Sequence, residues 1–158
     1  MLVEFRAATT ALEHGNFMTG VAVPYGQYAD IREHGVSFRE RFAPGSIVAP
    51  KSATLRMTHA RGVPLARVGA GTLSFRDSAE GLIFSAELPE SRPDIREALE
   101  RGDLDGSVSI GFVALRDKKT PTPGSRYSFT RDVLAAKLDH LAIVETPAYA
   151  SAKGQLTQ

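Results

Sequence analysis

Short apolar segments with alternating polar positions recur along the chain, separated by glycine, proline and small polar residues. Alternation with a period of two is typical of a β-strand with one buried face, and short apolar runs closed by turn residues are typical of buried strands. The pattern predicts strands at residues 2–6, 17–24, 54–57, 71–76, 82–88, 127–131 and 137–144.

Turn-forming residues mark the intervals between these strands. Residues 26–35 are polar and are predicted as a loop, and residues 44–45, Pro-Gly, are predicted to open a short helical turn. Residues 77–81 are predicted to join two strands as a hairpin, with Gly81 at positive φ. Residues 118–126, rich in Pro, Gly, Ser and Thr, are predicted as a flexible insertion.

One segment has the pattern of a helix, at residues 93–101. Ser91 is predicted to cap it, Pro93 suits its first turn, and apolar residues follow at helical spacing until Gly102 ends it. Many short strands with few helices predict a mainly β protein of the α+β class. We expect a closed or nearly closed β-barrel flanked by helices.

Length and composition fit a single globular domain. With 158 residues the chain is long enough for one real core, so residues 1–150 are predicted as one domain and the small, polar residues 151–158 as a flexible tail. The net charge is only +1 and basic residues are not clustered, which argues against nucleic-acid binding. No apolar run approaches the roughly 20 residues that span a membrane, so we expect no membrane contact.

The chain contains no cysteine, which excludes disulfides, thiolate metal sites and a cysteine nucleophile. This absence suits a protein of the reducing cytoplasm. We predict no metal and no cofactor.

The most informative segment is 105–112, Asp-Gly-Ser-Val-Ser-Ile-Gly-Phe, where an apolar, strand-like run carries two hydroxyls. In a strand, alternate residues share a face, so Ser107, Ser109 and Gly111 lie on one side. A serine nucleophile needs a positioned base, and histidine is the usual one. The chain has four histidines: His14, His34, His59 and His140.

Two of these histidines have suggestive neighbours. His59 ends a predicted strand at the start of a loop, where catalytic groups are often presented, and His140 interrupts an apolar strand. The residue types alone favour a plainer interpretation, in which a small hydroxyl fills a tight space and a histidine in an apolar strand is a hydrogen-bonded core residue.

The order of several motifs resembles the prohead maturation proteases of tailed bacteriophages, a family related in fold to the herpesvirus capsid assembly proteases. Ser-Ile-Gly-Phe at 109–112 is similar to the family's nucleophile motif, and residues 38–47 resemble its Glu-x-x-x-Pro-Gly-Ala-Phe helix entry. The segments that carry the resemblance are 20–25, 38–47, 58–67, 81–84, 106–112 and 138–148. The resemblance implies a herpesvirus-protease-like barrel.

By this resemblance Ser109 is the nucleophile and His59 the general base, with Ser107 as the alternative serine. His140 falls at the third position, where many family members carry an acidic residue and the herpesvirus enzymes a second histidine. Asp139 is the competing choice, because a register error of one residue would bring it onto the site in place of His140.

The oxyanion hole needs donors that the sequence does not single out. Backbone N–H groups near the site and the side chains of Arg61 and Arg131 are the candidates, although solvated surface is the ordinary role for both arginines.

The implied activity is that of a serine endopeptidase working through an acyl-enzyme inside the assembling procapsid, in the host cytoplasm. Its partners would be the phage scaffold protein and the major capsid protein, whose scaffold-like segment it would cleave together with itself. Self-cleavage is expected near residues 150–153, which would make the tail a remnant of a longer precursor, and the herpesvirus analogy allows a homodimer. The alternative is a non-catalytic structural or scaffold-binding head protein that keeps the protease fold.

Overall fold

The structure is a computed structural model that describes the backbone of residues 4–12 and the whole of residues 16–145. This part of the chain forms a β-sheet with one α-helix, α1, at Pro93–Arg101, and a short 3-10 helix at Val68–Ala70. The strands are β1 Glu4–Leu12, β2 Phe17–Pro24, β3 Ala29–Glu33, β4 Val36–Phe42, β5 Ile47–Val48, β6 Thr54–Met57, β7 Ala66–Arg67, β8 Leu73–Asp77, β9 Gly81–Glu87, β10 Ser107–Pro121 and β11 Phe129–Ile143.

The two longest of these strands, β10 and β11, form the centre of the sheet. Hydrogen-bonded neighbours follow the order β3-β4-β11-β10-β1-β2-β9-β8. Three short strands, β4, β5 and β6, lie one after another along the same strand, β11, and each pairs with it in parallel. Strand β7 pairs with β6.

The predicted closed barrel is not found. A barrel needs its first and last strands to pair, and in the described chain the path ends at β3 on one side and β8 on the other. An isolated parallel bridge between Tyr25 and Phe42 links the ends of β2 and β4. The predicted flanking helices reduce to α1 and the 3-10 turn, so the fold is mainly β with one α-helix.

Three polar segments differ from their predictions. The segment 26–35 contains β3, because Ile31 pairs with Phe38 and both side chains are buried. The segment 118–126 begins as strand, since β10 continues to Pro121 and its exposed residues are held by backbone pairing with β11, and only residues 122–126 form the loop. The Pro-Gly pair at 44–45 forms a turn between β4 and β5 in place of a helical turn. Hydropathy does not reveal the exposed end of β10, because pairing with β11 rather than burial holds it in place.

The helix is confirmed at 93–101, but its start differs from the prediction. The N-cap residue is Arg92, which makes no side-chain capping bond, so the predicted cap at Ser91 is wrong. Gly102 ends the helix as predicted, in the left-handed conformation with φ 81°. Burial of Ile95 and Leu99 attaches α1 to the core.

The β8–β9 hairpin is also confirmed, while the reason for its glycine differs. Gly81 does not have positive φ. A Cβ atom there would lie 2.2 Å from the Val23 carbonyl oxygen, so the close approach of β2 is what requires glycine.

The first half of β10 is buried on both faces, unlike a strand of a one-sided sheet. On one face lie Val108, Ile110 and Phe112, and the Phe112 ring meets the edge of Phe42 at 5.0 Å between centroids. Burying a side chain of this size stabilises the fold by roughly 1.5–3 kcal/mol. The other face carries Ser107 and Ser109, which are buried as well.

Candidate active site

Ser109 lies in the buried part of β10 and is only 5% exposed. Its neighbours in the sheet are Ala142 of β11 on one side and Ala7 of β1 on the other. Two positions along β10 is Gly111, which shares the face of Ser109 because alternate strand residues point the same way. A side chain that lies over Gly111 is therefore on the same face of the sheet as the Ser109 hydroxyl.

The His140 imidazole lies over Gly111. The two residues are directly paired between β11 and β10. A Cβ atom on Gly111 would lie 2.3 Å from Cε1 and 2.6 Å from Nδ1 of the ring, closer than real Cβ contacts. The conformation at Gly111 is not of the left-handed kind, so glycine is needed here for space. Gly111 thus places the imidazole on the same face as Ser109.

Both ring nitrogens of His140 have partners. Nε2 lies 2.8 Å from Nδ1 of His59, and Nδ1 lies 2.8 Å from a carboxylate oxygen of Asp139. The His59 and His140 rings meet edge to face, with centroids 5.1 Å apart. His140 itself is 2% exposed. These contacts form a continuous chain from Asp139 through His140 to His59, between residues far apart in sequence.

A β-bulge explains how Asp139 and His140, which are adjacent in β11, both take part in this series of hydrogen bonds. The register pairs Gly111 with His140 but the next β10 residue, Phe112, with Leu138, so Asp139 is the extra residue on β11. At this irregularity the Asp139 carboxylate reaches His140 Nδ1. The sequence argument treats His140 and Asp139 as exclusive choices, whereas the structure brings His140 to His59 and Asp139 to His140.

A sharp turn in the backbone presents His59. Thr58, which follows β6, has φ 53°, a left-handed value that is unusual for a β-branched residue. Its N–H donates to the Ile143 carbonyl oxygen at 2.9 Å, which ties the turn to the end of β11. The next residue is therefore directed back toward His140.

The order of contacts determines where protons lie in the neutral state. An ionised Asp139 accepts a hydrogen bond from Nδ1–H of His140, which leaves Nε2 of that ring as an acceptor. His140 Nε2 then accepts from Nδ1–H of His59, so Nε2 is the nitrogen of the His59 ring that carries a lone pair. This arrangement makes Nε2 of His59 the basic nitrogen in the hydrogen-bonded series from Asp139 through His140 to His59.

Electrostatics favours neutral imidazoles. Burial, together with the positive charges that His140 and Arg56 can carry, lowers the pKa of His59 to about 4. Burial also lowers the pKa of His140; Asp139 opposes this shift by its hydrogen bond and charge, and Arg56 adds to it. At neutral pH His59 is therefore available as a base.

Of the two candidate arginines, Arg131 lies away from this site. Arg131 lies near the start of β11, far from His140 near its end, and contacts Glu40 at 3.1 Å and Asp117 at 2.6 Å. Arg61 lies exposed in the loop that follows His59.

The alternative residues are also placed elsewhere or differently. The Ser107 hydroxyl is fully buried and, in the described part of the chain, has no hydrogen-bond partner. His34 is exposed in the β3–β4 turn, and His14 lies outside the described residues.

One residue near the site is missed by the sequence argument. Arg56 lies on β6, donates from Nε to Thr54 Oγ1 at 3.1 Å, and approaches Asp139 to 3.9 Å. Strand alternation is a signal that would have found it, because it places Arg56 on the face of Thr54, whose direct partner on β11 is His140.

Neither a metal site nor a membrane helix is found in this structure. Within residues 4–12 and 16–145, no group of three or more His, Cys, Asp or Glu residues is placed to hold a metal ion. No helix among the same residues has the length and apolar character needed to cross a membrane.

The family model for caudovirus prohead serine proteases matches residues 3–158, almost the whole chain. The chain belongs to this family. The protease is thus a serine peptidase with a role in phage head maturation, and the alternative of a non-catalytic head protein is not supported. No curated protein and no solved structure matches the chain, so the herpesvirus-like fold stays a prediction.

Proposed function

We propose that the protease is an endopeptidase that uses Ser109 as nucleophile and an acyl-enzyme intermediate. Its substrates would be the scaffold protein, the scaffold-like segment of the major capsid protein, and the protease itself. The observation that carries this proposal is the hydrogen-bonded pair of half-buried His59 and buried His140, the latter lying over Gly111 on the face of Ser109.

In the first step His59 Nε2 accepts the proton of the Ser109 hydroxyl while the serine oxygen bonds to the carbonyl carbon of the scissile peptide. The carbonyl π electrons move to its oxygen and form the tetrahedral intermediate. His59 becomes an imidazolium whose Nδ1–H points at His140 Nε2, at the 2.8 Å separation described above. The Asp139 carboxylate, one hydrogen bond further, supplies the negative charge that a second imidazole lacks.

In the second step the imidazolium returns its proton to the leaving nitrogen as the C–N bond breaks, which leaves an ester on Ser109. A water molecule then attacks this ester with His59 again as base. The C–O bond to serine breaks, the serine oxygen recovers the proton, and a carboxylic acid product leaves. The chemistry needs no cofactor.

No hydrogen bond joins Ser109 to His59 within the described residues. In free enzymes catalytic hydrogen bonds are often long and shorten only when substrate is bound, so the proposal places this contact in the substrate complex. The oxyanion would be held by backbone N–H groups and by Arg61, the nearer in sequence to His59 of the two candidate arginines. The contacts of Arg131 with Glu40 and Asp117 favour a structural role instead.

The decisive experiment is co-expression of the protease with its scaffold and capsid proteins, followed by intact-mass spectrometry of every partner. Ser109→Ala should abolish cleavage, whereas the matched control Ser107→Ala should retain it in folded protein. Equal cleavage by Ser109→Ala and the unmodified chain would disprove the assignment of the nucleophile.

Two further parts of the proposal need their own measurements. Self-cleavage near residues 150–153 lies outside the described residues, and intact mass of the active protease should show the processed form, absent in Ser109→Ala. A homodimer, proposed by analogy with the herpesvirus enzymes, should appear as a doubled mass in sedimentation equilibrium. A monomer at all concentrations tested would exclude it.

A further inference from the structure

Arg56 occupies a row of the sheet that leads directly to the nucleophile. Its partner on β11 is Ala142, and Ala142 is in turn the partner of Ser109 on β10. The next row on the same face of the sheet contains Thr54, His140 and Gly111 in the same order. The two rows are neighbours on that face, so a cation on β6 lies beside the site although it takes no part in the series of hydrogen bonds from Asp139 to His59.

Two contacts fix the Arg56 side chain in this place. Its Nε donates to Thr54 Oγ1 at 3.1 Å, and Nη2 lies 3.9 Å from Oδ2 of Asp139. The same Oδ2 atom lies 2.8 Å from His140 Nδ1. One carboxylate oxygen is therefore shared between a cation and an imidazole, and the contact with the cation helps to hold that oxygen beside His140 Nδ1.

This anchoring matters because Asp139 is not held by burial. Its side chain is 44% exposed, against 22% for Arg56, and it belongs to a bulge, where pairing with the neighbouring strand is interrupted. An exposed carboxylate on an irregular stretch has several rotamers, and only some of them reach His140. Loss of the Asp139 contact would leave His140 free to place its proton on Nε2, which would turn His59 Nε2 from acceptor into donor.

We propose that Arg56 is a positioning residue of the protease, which holds the Asp139 carboxylate against His140 Nδ1 and thereby fixes the tautomers of both imidazoles. This inference rests on the proposed function of the site. It assigns Arg56 no contact with substrate. The charged groups in the described structure that face the two imidazoles are Arg56 from β6 and Asp139 from β11.

The test is a double-mutant cycle on the full chain with Arg56→Gln, Asp139→Asn and their combination. Arg56→Gln should lower kcat about tenfold with little change in KM, and should move the acid limb of the pH profile upward by about half a unit to one unit as a positive charge is lost. In the Asp139→Asn background the same change should have almost no further effect on kcat. Equal losses in both backgrounds would overturn the inference.

A spectroscopic readout separates this inference from the proposed function. In the Ser109→Ala background, ¹⁵N NMR of His59 and His140 should show both rings protonated on Nδ1, and Arg56→Gln should produce a mixture of tautomers. Unchanged tautomers would refute the role of Arg56 even if Ser109 is the nucleophile. Cleavage that survives Ser109→Ala would instead disprove the proposed function, whatever the tautomers.

Two variants complete the design. Arg56→Lys keeps the charge but lacks the planar pair of donors that a guanidinium offers. It should therefore keep the pH profile of the unmodified chain and recover only part of kcat. If Arg56→Gln does not fold, Arg56→Lys takes its place in the test. Arg76→Gln removes an exposed arginine of β8 and should match the unmodified chain in both rate and tautomers. A loss with Arg76→Gln equal to that with Arg56→Gln would show a general charge effect and would overturn the assignment.

Discussion

At the scale of single residues, the site depends on Gly111, whose lack of a side chain leaves room for the His140 ring. Gly111 is the residue over which the His140 ring lies, and no other amino acid leaves that volume empty. The serine and its glycine thus act together: one contributes the hydroxyl and the other the place for the second imidazole. The sequence shows both residues, but not which ring fills the gap.

Gly111→Ala is expected to lower kcat/KM about 100-fold, the scale associated with a 1 Å displacement of a catalytic group, because the new methyl group collides with His140. Gly62→Ala is the matched control, since a Cβ atom there meets no atom within 4 Å. Steady-state kinetics on a peptide from the scaffold protein would measure both. A rate for Gly111→Ala equal to that of the control would contradict the placement of His140.

The pKa of His59, lowered to about 4 by burial and by nearby positive charge, predicts an unusual pH profile. The base stays unprotonated far below the ordinary histidine pKa of about 6.5, so kcat/KM should persist to about pH 5 and decline through about pH 4. A pH series of initial rates measures this. An acid limb near 6.5 would show that His59 is not the base or is solvated.

The same shift has a consequence for stability. Between about pH 4 and pH 6.5 the unfolded chain binds more protons at His59 than the folded protein, so the free energy of unfolding falls as the pH is lowered through that window. Urea unfolding at several pH values should show this slope, and His59→Asn should reduce it. A slope unchanged in His59→Asn would assign the effect to other groups.

The sequence singles out individual candidate residues, but it does not predict the contacts between them. The motif around Ser109 and the loop position of His59 single out these two residues, because local chemistry is readable from neighbours in the chain. The Asp139 contact is not readable in this way, since it follows from a bulge set by pairing between β10 and β11. Arg56 is missed for a similar reason: it is near in space only because β6 pairs with β11.

At the scale of elements, periodicity predicts the helix and several strands that have a buried face, but it misses β3 and β4, whose buried residues alternate with charged ones, and the exposed end of β10. The helix bounds agree because the apolar stripe of α1 and its closing glycine are local signals. Its cap differs, since Ser91 lies one residue too early. The outer half of β10 is polar and exposed, so hydropathy does not distinguish it from a loop.

The uncapped start of α1 offers a stabilising substitution. Arg92→Ser places a hydroxyl at the N-cap, where it can accept a backbone hydrogen bond from the first turn, and should raise the free energy of unfolding by about 0.5–1 kcal/mol. The lost ion pair with Asp94 is exposed and contributes little. Urea unfolding at pH 7 measures the change, with Ser91→Ala expected to be neutral. Destabilisation by Ser91→Ala would restore Ser91 as the cap.

At the scale of the whole molecule, a partly buried ion cluster joins β4 to the consecutive strands β10 and β11. Arg131 of β11 contacts Glu40 of β4, which is fully buried, and Asp117 of β10. The cluster lies at the far end of β11 from His140. Its burial supports an architectural role, distinct from the oxyanion role that the sequence left open.

Arg131→Met should therefore destabilise the fold by about 3–5 kcal/mol, because it removes a cation from a buried carboxylate. Adding Glu40→Gln should recover part of the loss. In protein that remains folded, kcat should stay within about twofold of the unmodified chain, a change of less than about 0.5 kcal/mol in the barrier. A large loss of kcat at unchanged stability would indicate a part in catalysis.

Strand β11 determines when the contacts between the two imidazoles can form during folding. The two imidazoles are separated by 81 positions, and the strand that leads to His59 pairs with β11, the last strand described. Such distant pairings are slow to form, because a long loop must close before any contact compensates its entropy. A chain emerging from the ribosome without residues 129–143 has neither the second imidazole nor the edge on which β6 rests. The contacts that join Asp139, His140 and His59 can therefore form only after residues 129–143 have been translated.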